Sequence, residues 1–125
     1  MDGRVQDPIA NFAKDRWGVE YVDTITEAGL VKHFSEQHST HPHTHHVLET
    51  IKMKVLDVSV QKHNSEGIVV HGHQECAGNP VDDQIHKENI LEAARIIREL
   101  EPGVEVVPVF VVRDEPFWRV EQLSE

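Results

Sequence analysis

The sequence predicts an α/β fold in three layers, a mainly parallel β-sheet flanked by helices, and three observations lead there. Strand-like and helix-like patterns alternate along the chain at the spacing of crossover units. The run "GIVV" at residues 67–70 is apolar without interruption, the pattern of a strand buried on both faces. A helical period over roughly residues 82–100 then separates it from a second β-branched run, "VEVVPVFVV". At 125 residues, with no repeat and no linker, the chain is expected to be a single domain spanning residues 1–125.

Taken in order, "MDGRV" has the pattern of the end of a strand whose beginning is missing, so the N-terminal strand is expected to be truncated. Asp7 and Pro8 form an N-cap followed by proline at the first helical position, and Gly18 is a stop. Between them Ile9, Phe12, Ala13 and Trp17 recur at helical spacing, predicting a helix over 8–17. "VEYVDTIT" is a strand pattern, after which Thr26 and Glu27 open a turn of helix around Ala28 to Phe34. "SEQHSTHPHTHH" is a polar loop broken by Pro42. The stripe Val47, Ile51, Val55 and Val58, widened by Leu48 and Leu56, predicts one long helix ending near His63 and Asn64. After the "GIVVHG" strand, Ile85, Ile90, Ala93, Ala94 and Ile97 mark the helix over 82–100, closed by "EPG". Pro108 inside the last strand predicts an edge or bulge position. Phe117 and Trp118 in the tail are expected to pack against the body of the protein.

Composition narrows the function. Twelve Lys and Arg against 22 Asp and Glu give a net charge of −10, which opposes non-specific nucleic-acid binding. No Gly-rich phosphate loop and no G-x-S-x-G is present. No apolar run approaches the ~20 residues of a membrane span, and "MDGRVQDP" lacks the regions of a signal peptide. A cytoplasmic protein that engages neither membrane nor nucleic acid is therefore expected. One cysteine permits no internal disulfide, in keeping with a reducing compartment. Ten histidines are the compositional outlier and direct attention to metal or pH chemistry.

The stretch "GIVVHGHQECAGNPVDD" holds the candidate chemistry. Ligands of doubly wound sheets sit beyond the carboxyl ends of strands, where His71, His73 and Cys76 fall. A cysteine just ahead of a helix feels the positive end of its dipole, which favours thiolate. Thiolate and imidazole three residues apart can reach one zinc ion, at about 2.3 Å for sulfur and about 2.0 Å for nitrogen. Gly72 and Gly78 would permit the tight loop this needs. On spacing alone H-x-x-C is a weak signal, and a packed, inert thiol beside a hydrogen-bonded histidine is the default.

Two motifs together carry more. "VVHGHQECAG" resembles the GHxxCG/A element of the β-class carbonic anhydrases, and "MDGR" resembles the end of that family's C-x-D-x-R element, about seventy residues earlier. "MDGRVQ-P", "YVDxITExG" and "GHxxCAGNPV" are similar to the small single-domain relatives of that class, so the resemblance covers most of the chain. It implies a β-carbonic-anhydrase-like fold, Zn2+ held by His73 and Cys76, and carbon dioxide and bicarbonate as substrate and product. It also implies that zinc-bound hydroxide attacks carbon dioxide while Asp2, held by Arg4, orients the bound water. The departure is the family's first zinc-ligand cysteine, which would stand immediately before Met1. Without it, Asp2 or the Met1 amine could become a ligand, at a cost in activity. The resemblance further implies a homodimer.

His38, His41, His43, His45 and His46 cluster around Pro42. Such a tract can bind nickel, copper or zinc, but its simplest state is a solvated loop. His71 is expected to make a strand-end backbone hydrogen bond. Three functions stay open: a carbonic anhydrase, a catalytically inactive zinc-binding or sensing module of the same fold, and a His-rich metal carrier.

Overall fold

The computed structural model describes residues 1–124. Its elements are helix α1 (Gly3–Trp17), α2 (Leu30–Ser35), α3 (Pro42–Lys52) with a π-helical continuation (Met53–Val60), strand β1 (Gly67–His73), helix α4 (Asp83–Leu100), and strands β2 (Glu105–Asp114) and β3 (Phe117–Gln122). The sheet has the order β1-β2-β3, with β1 parallel to β2 and β3 antiparallel to β2. The expected α/β architecture with helices on both faces is present. The sheet is mixed rather than mainly parallel, because the tail expected only to pack folds back as a hairpin strand.

Side chains of β2 alternate between two cores, as the two-residue strand period requires. Val107, Val109 and Val111 face α1, packing with Val5 and Ile9. Val106 and Phe110 face the other way, against Ile90, Ala93, Ala94 and Ile97 of α4 and the apolar side of α2 and α3. Pro108 sits in this central strand, not at an edge. Its carbonyl accepts a hydrogen bond from Leu123 N at 2.9 Å. Because N and C=O of one extended residue point the same way, the missing N–H falls on the β3 side, just past the last paired residues Val109 and Gln122. The ladder to β1 loses nothing.

The N-terminus is helical, not the end of a strand. Asp2 caps α1, its carboxylate accepting from Arg4 N at 3.0 Å. The helix thus begins five residues before Pro8, which lies inside it. An interior proline costs about 3 kcal/mol. Burying Val5 completely returns about 1.5–3 kcal/mol and the cap about 1 kcal/mol, so the longer helix is affordable. The long helix predicted from Val47 changes form instead of running on. Gln61 N bonds Leu56 O and His63 N bonds Val58 O, both across five residues, and the wider turn rotates Val58 toward solvent while Val47 and Ile51 stay buried. "VEYVDTIT", residues 19–26, forms no strand, and among the described residues no strand pairs with it.

Candidate metal centre

β1 ends at His73, so the strand itself delivers this imidazole to the carboxyl edge of the sheet. The ring is buried, and its Nδ1 lies 2.7 Å from the carbonyl oxygen of Gln74. A carbonyl can only accept, so Nδ1 carries the proton and Nε2 of the neutral ring keeps its lone pair for a metal. Gln74 is itself fixed: its N donates to Val111 O at 3.0 Å, its amide nitrogen to Asp83 at 2.7 Å, and its side-chain oxygen accepts from Arg113 N at 2.8 Å. The loop that carries Cys76 is therefore stapled to β2 and to the start of α4.

Cys76 is a half-buried free thiol that lines the same cavity as His73. It stands in the turn well ahead of the Asp82 cap of α4. The glycines work differently from expectation. A Cβ on Gly72 would meet His86 Nε2 at 2.4 Å, so this glycine admits a helix side chain against the strand. A Cβ on Gly78 would meet Gly29 N at 2.4 Å, and one on Gly29 would meet Gly78 O at 2.3 Å. These two glycines lock the Cys76 loop onto the loop ahead of α2.

Asp2 and Arg4 come together, though through a helix cap and not an extended segment. Arg4 Nη2 donates to Asp2 Oδ2 at 2.6 Å and Nε reaches both carboxylate oxygens at 3.1 Å. Hydrogen bonds from the Arg4 side chain, then its backbone N–H, hold the Asp2 carboxyl well below the usual carboxylate range. Nearby His73 adds a smaller pull in the same direction. The Arg4 guanidinium lies over the Trp118 ring, 4.9 Å from its centroid, with Arg113 at 5.6 Å. Trp118 in turn meets the His73 ring edge-on at 6.2 Å. Glu75, at φ +59°, lies 3.5 Å from both arginines. Trp118, Arg113 and Glu75 thus join the candidate residues into one surround. In the sequence only the aromatic tail hinted at this, because the hairpin that returns Trp118 to the site carries no helix-like or strand-like signal strong enough to show where it pairs.

Two further histidines lie around the site, and His71 differs from expectation. His71 lines the cavity with its Nδ1 buried and without a hydrogen-bond partner, where a backbone bond was expected. Burial pushes its pKa down to about 4. His86 is buried beside Gly72 and meets Phe110 edge-on at 5.5 Å.

The donor types at His73 and Cys76 suit zinc. The number does not complete a site: among the described residues no group of three His, Cys, Asp or Glu side chains is placed to hold one ion. Of the nearby carboxylates, Asp2 is engaged by Arg4 and Glu75 lies against Arg4 and Arg113. The histidine tract is partly helical, since His41 caps α3 and Pro42 begins it. His33 and His43 rings stand 5.5 Å apart, and His41 and His43 6.5 Å apart.

With this geometry in place, the family described as "Putative carbonic anhydrase" matches residues 1–124. The chain belongs to that family. No curated protein and no solved structure matches it. Among the described residues no helix is long and apolar enough to cross a membrane.

Proposed function

We propose that this member of the carbonic anhydrase family is a β-class-like zinc protein in which His73 Nε2 and Cys76 Sγ are two of the metal's donors. Asp2 and Arg4 are its neighbouring charged pair, and carbon dioxide and bicarbonate are the small molecules it would interconvert. The observation that supports this most is the commitment of His73 Nδ1 to the Gln74 carbonyl, which leaves the other ring nitrogen as the donor for a metal, in a residue that lines the same cavity as Cys76. Zinc completes its shell with donors beyond these two, so no catalytic step is assigned to the metal here. The protein is proposed to work as a cytoplasmic homodimer.

Zinc stoichiometry tests the metal. About one zinc per chain, lost in His73→Ala and in Cys76→Ser but kept when residues 38–46 are replaced by a Gly/Ser loop, supports the proposal. Several weakly held ions that disappear with residues 38–46 would instead identify a histidine-based carrier, for which the neighbouring rings of His33, His41 and His43 speak. Stopped-flow hydration of carbon dioxide tests the reaction. A rate no higher than that of metal-free protein would leave a zinc-binding or sensing module, the second reading, which the incomplete donor set favours.

A further inference from the structure

The loop from β1 to α4 buries a polar side chain where loops usually expose one. Ala77 and Pro80 face solvent, yet Asn79 between them is among the fully buried side chains of the protein. A buried amide needs a hydrogen-bond partner, and this one donates from Nδ2 to Asn89 Oδ1 at 3.0 Å. Asn89 is half-buried on α4, next to the fully buried Ile90, so the acceptor belongs to a helix that the core holds in place. The backbone N of the same Asn79 donates to the Cys76 carbonyl at 3.3 Å. That bond closes a β-turn over residues 76–79, with Cys76 at its first position.

We infer that Asn79 is a positioning residue for Cys76: anchored to α4 through Asn89, it fixes the turn on which the sulfur stands. The upstream end of the loop is tied at Gln74, to Val111, Asp83 and Arg113. Asn79 ties the downstream end, so the thiol is carried between two fixed points. A leucine at position 79 would fill much the same space, but it would leave Asn89 Oδ1 without this donor and the turn without a directional hold on the helix. The purpose of the device rests on the zinc reading above, since a thiolate ligand has to be held in register with its partner imidazole. The placement of the turn does not need the metal.

Cys76 is the single cysteine of the chain, so alkylation of the metal-free protein by iodoacetamide reads this loop alone. Asn89→Ala is the principal variant, because alanine suits a helix position and leaves the fold intact; Asn79→Ala is the second. Both are expected to raise the alkylation rate by roughly tenfold. The rise should be the same at zero and low urea, as a local displacement requires, whereas global loosening grows with urea. Asn89→Asp keeps an acceptor oxygen and should restore the wild-type rate. In zinc-loaded protein, Asn89→Ala should weaken zinc binding by roughly ten- to hundredfold and Asn89→Asp should not. Wild-type alkylation in Asn89→Ala, a rise that follows urea, or no recovery in Asn89→Asp would overturn the inference. So would zinc that the wild type holds through Cys76 and Asn89→Ala holds equally well. A wild type that takes up no zinc at Cys76 would sink the functional reading instead, and the alkylation rates would still decide this one.

Discussion

At the scale of single residues, the site is held by side chains that each serve structure as well as chemistry. Asp2 is the plainest case, being both cap of α1 and partner of Arg4. Asp2→Ala should cost about 1 kcal/mol of stability through the cap alone, measurable as a lower denaturant midpoint. Because the folded carboxyl is held below its unfolded value, its contribution is present above about pH 4 and is lost as pH falls through the folded value. The wild type should therefore lose stability below pH 4 more steeply than Asp2→Ala. His33 has the opposite sign of charge and a different window. Burial between α2 and α3 lowers its pKa, so the folded state binds its proton less readily than the unfolded chain. Stability is complete above about pH 6.5 and declines as pH falls below it. His33→Gln should flatten that decline between pH 7 and 5. An unchanged slope in the variant would remove His33 from the account. The residues of the H-x-x-C pattern were legible in the sequence because their types and spacing are the chemistry. The Trp118 contact was not, since it depends on a strand register that no local pattern encodes.

At the scale of elements, local signals succeeded where burial agreed with them. α4 begins and ends close to where its cap and apolar period place it, with Asp82 accepting from Ile85 N at 2.9 Å. Signals failed where packing outweighed propensity. Pro8 and "MDGRV" argued against a helix before residue 8, yet complete burial of Val5 draws α1 back to Gly3. "VEYVDTIT" has strand composition and no strand beside it, so composition alone does not produce one. The Gly29–Gly78 contact is an element-level device invisible in sequence, since it joins two loops distant along the chain. Gly78→Ala must displace backbone and should cost about 1–3 kcal/mol. If Cys76 depends on that contact, the same variant should also lose zinc. Wild-type stability together with wild-type metal content would show that the two loops separate freely.

At the scale of the whole molecule, the sheet divides the protein into two cores, and the candidate centre lies at one end of their shared wall. Phe110 and Ile90 are fully buried in the larger core. Ile90→Ala should cost about 2–5 kcal/mol, a large part of a total that is commonly about 5–15 kcal/mol. A midpoint shift worth under about 1 kcal/mol would mean that α4 is less central than its packing indicates. The net charge of −10 opposes non-specific nucleic-acid binding. The homodimer proposed here is checked by light scattering at working concentration, where a monomer mass would contradict it. The most direct measurement of the central claim is X-ray absorption at the zinc edge on the purified protein. One sulfur scatterer per zinc at about 2.3 Å, with the remaining shell nitrogen or oxygen near 2.0 Å, is the predicted result. A first shell of nitrogen and oxygen alone would contradict it.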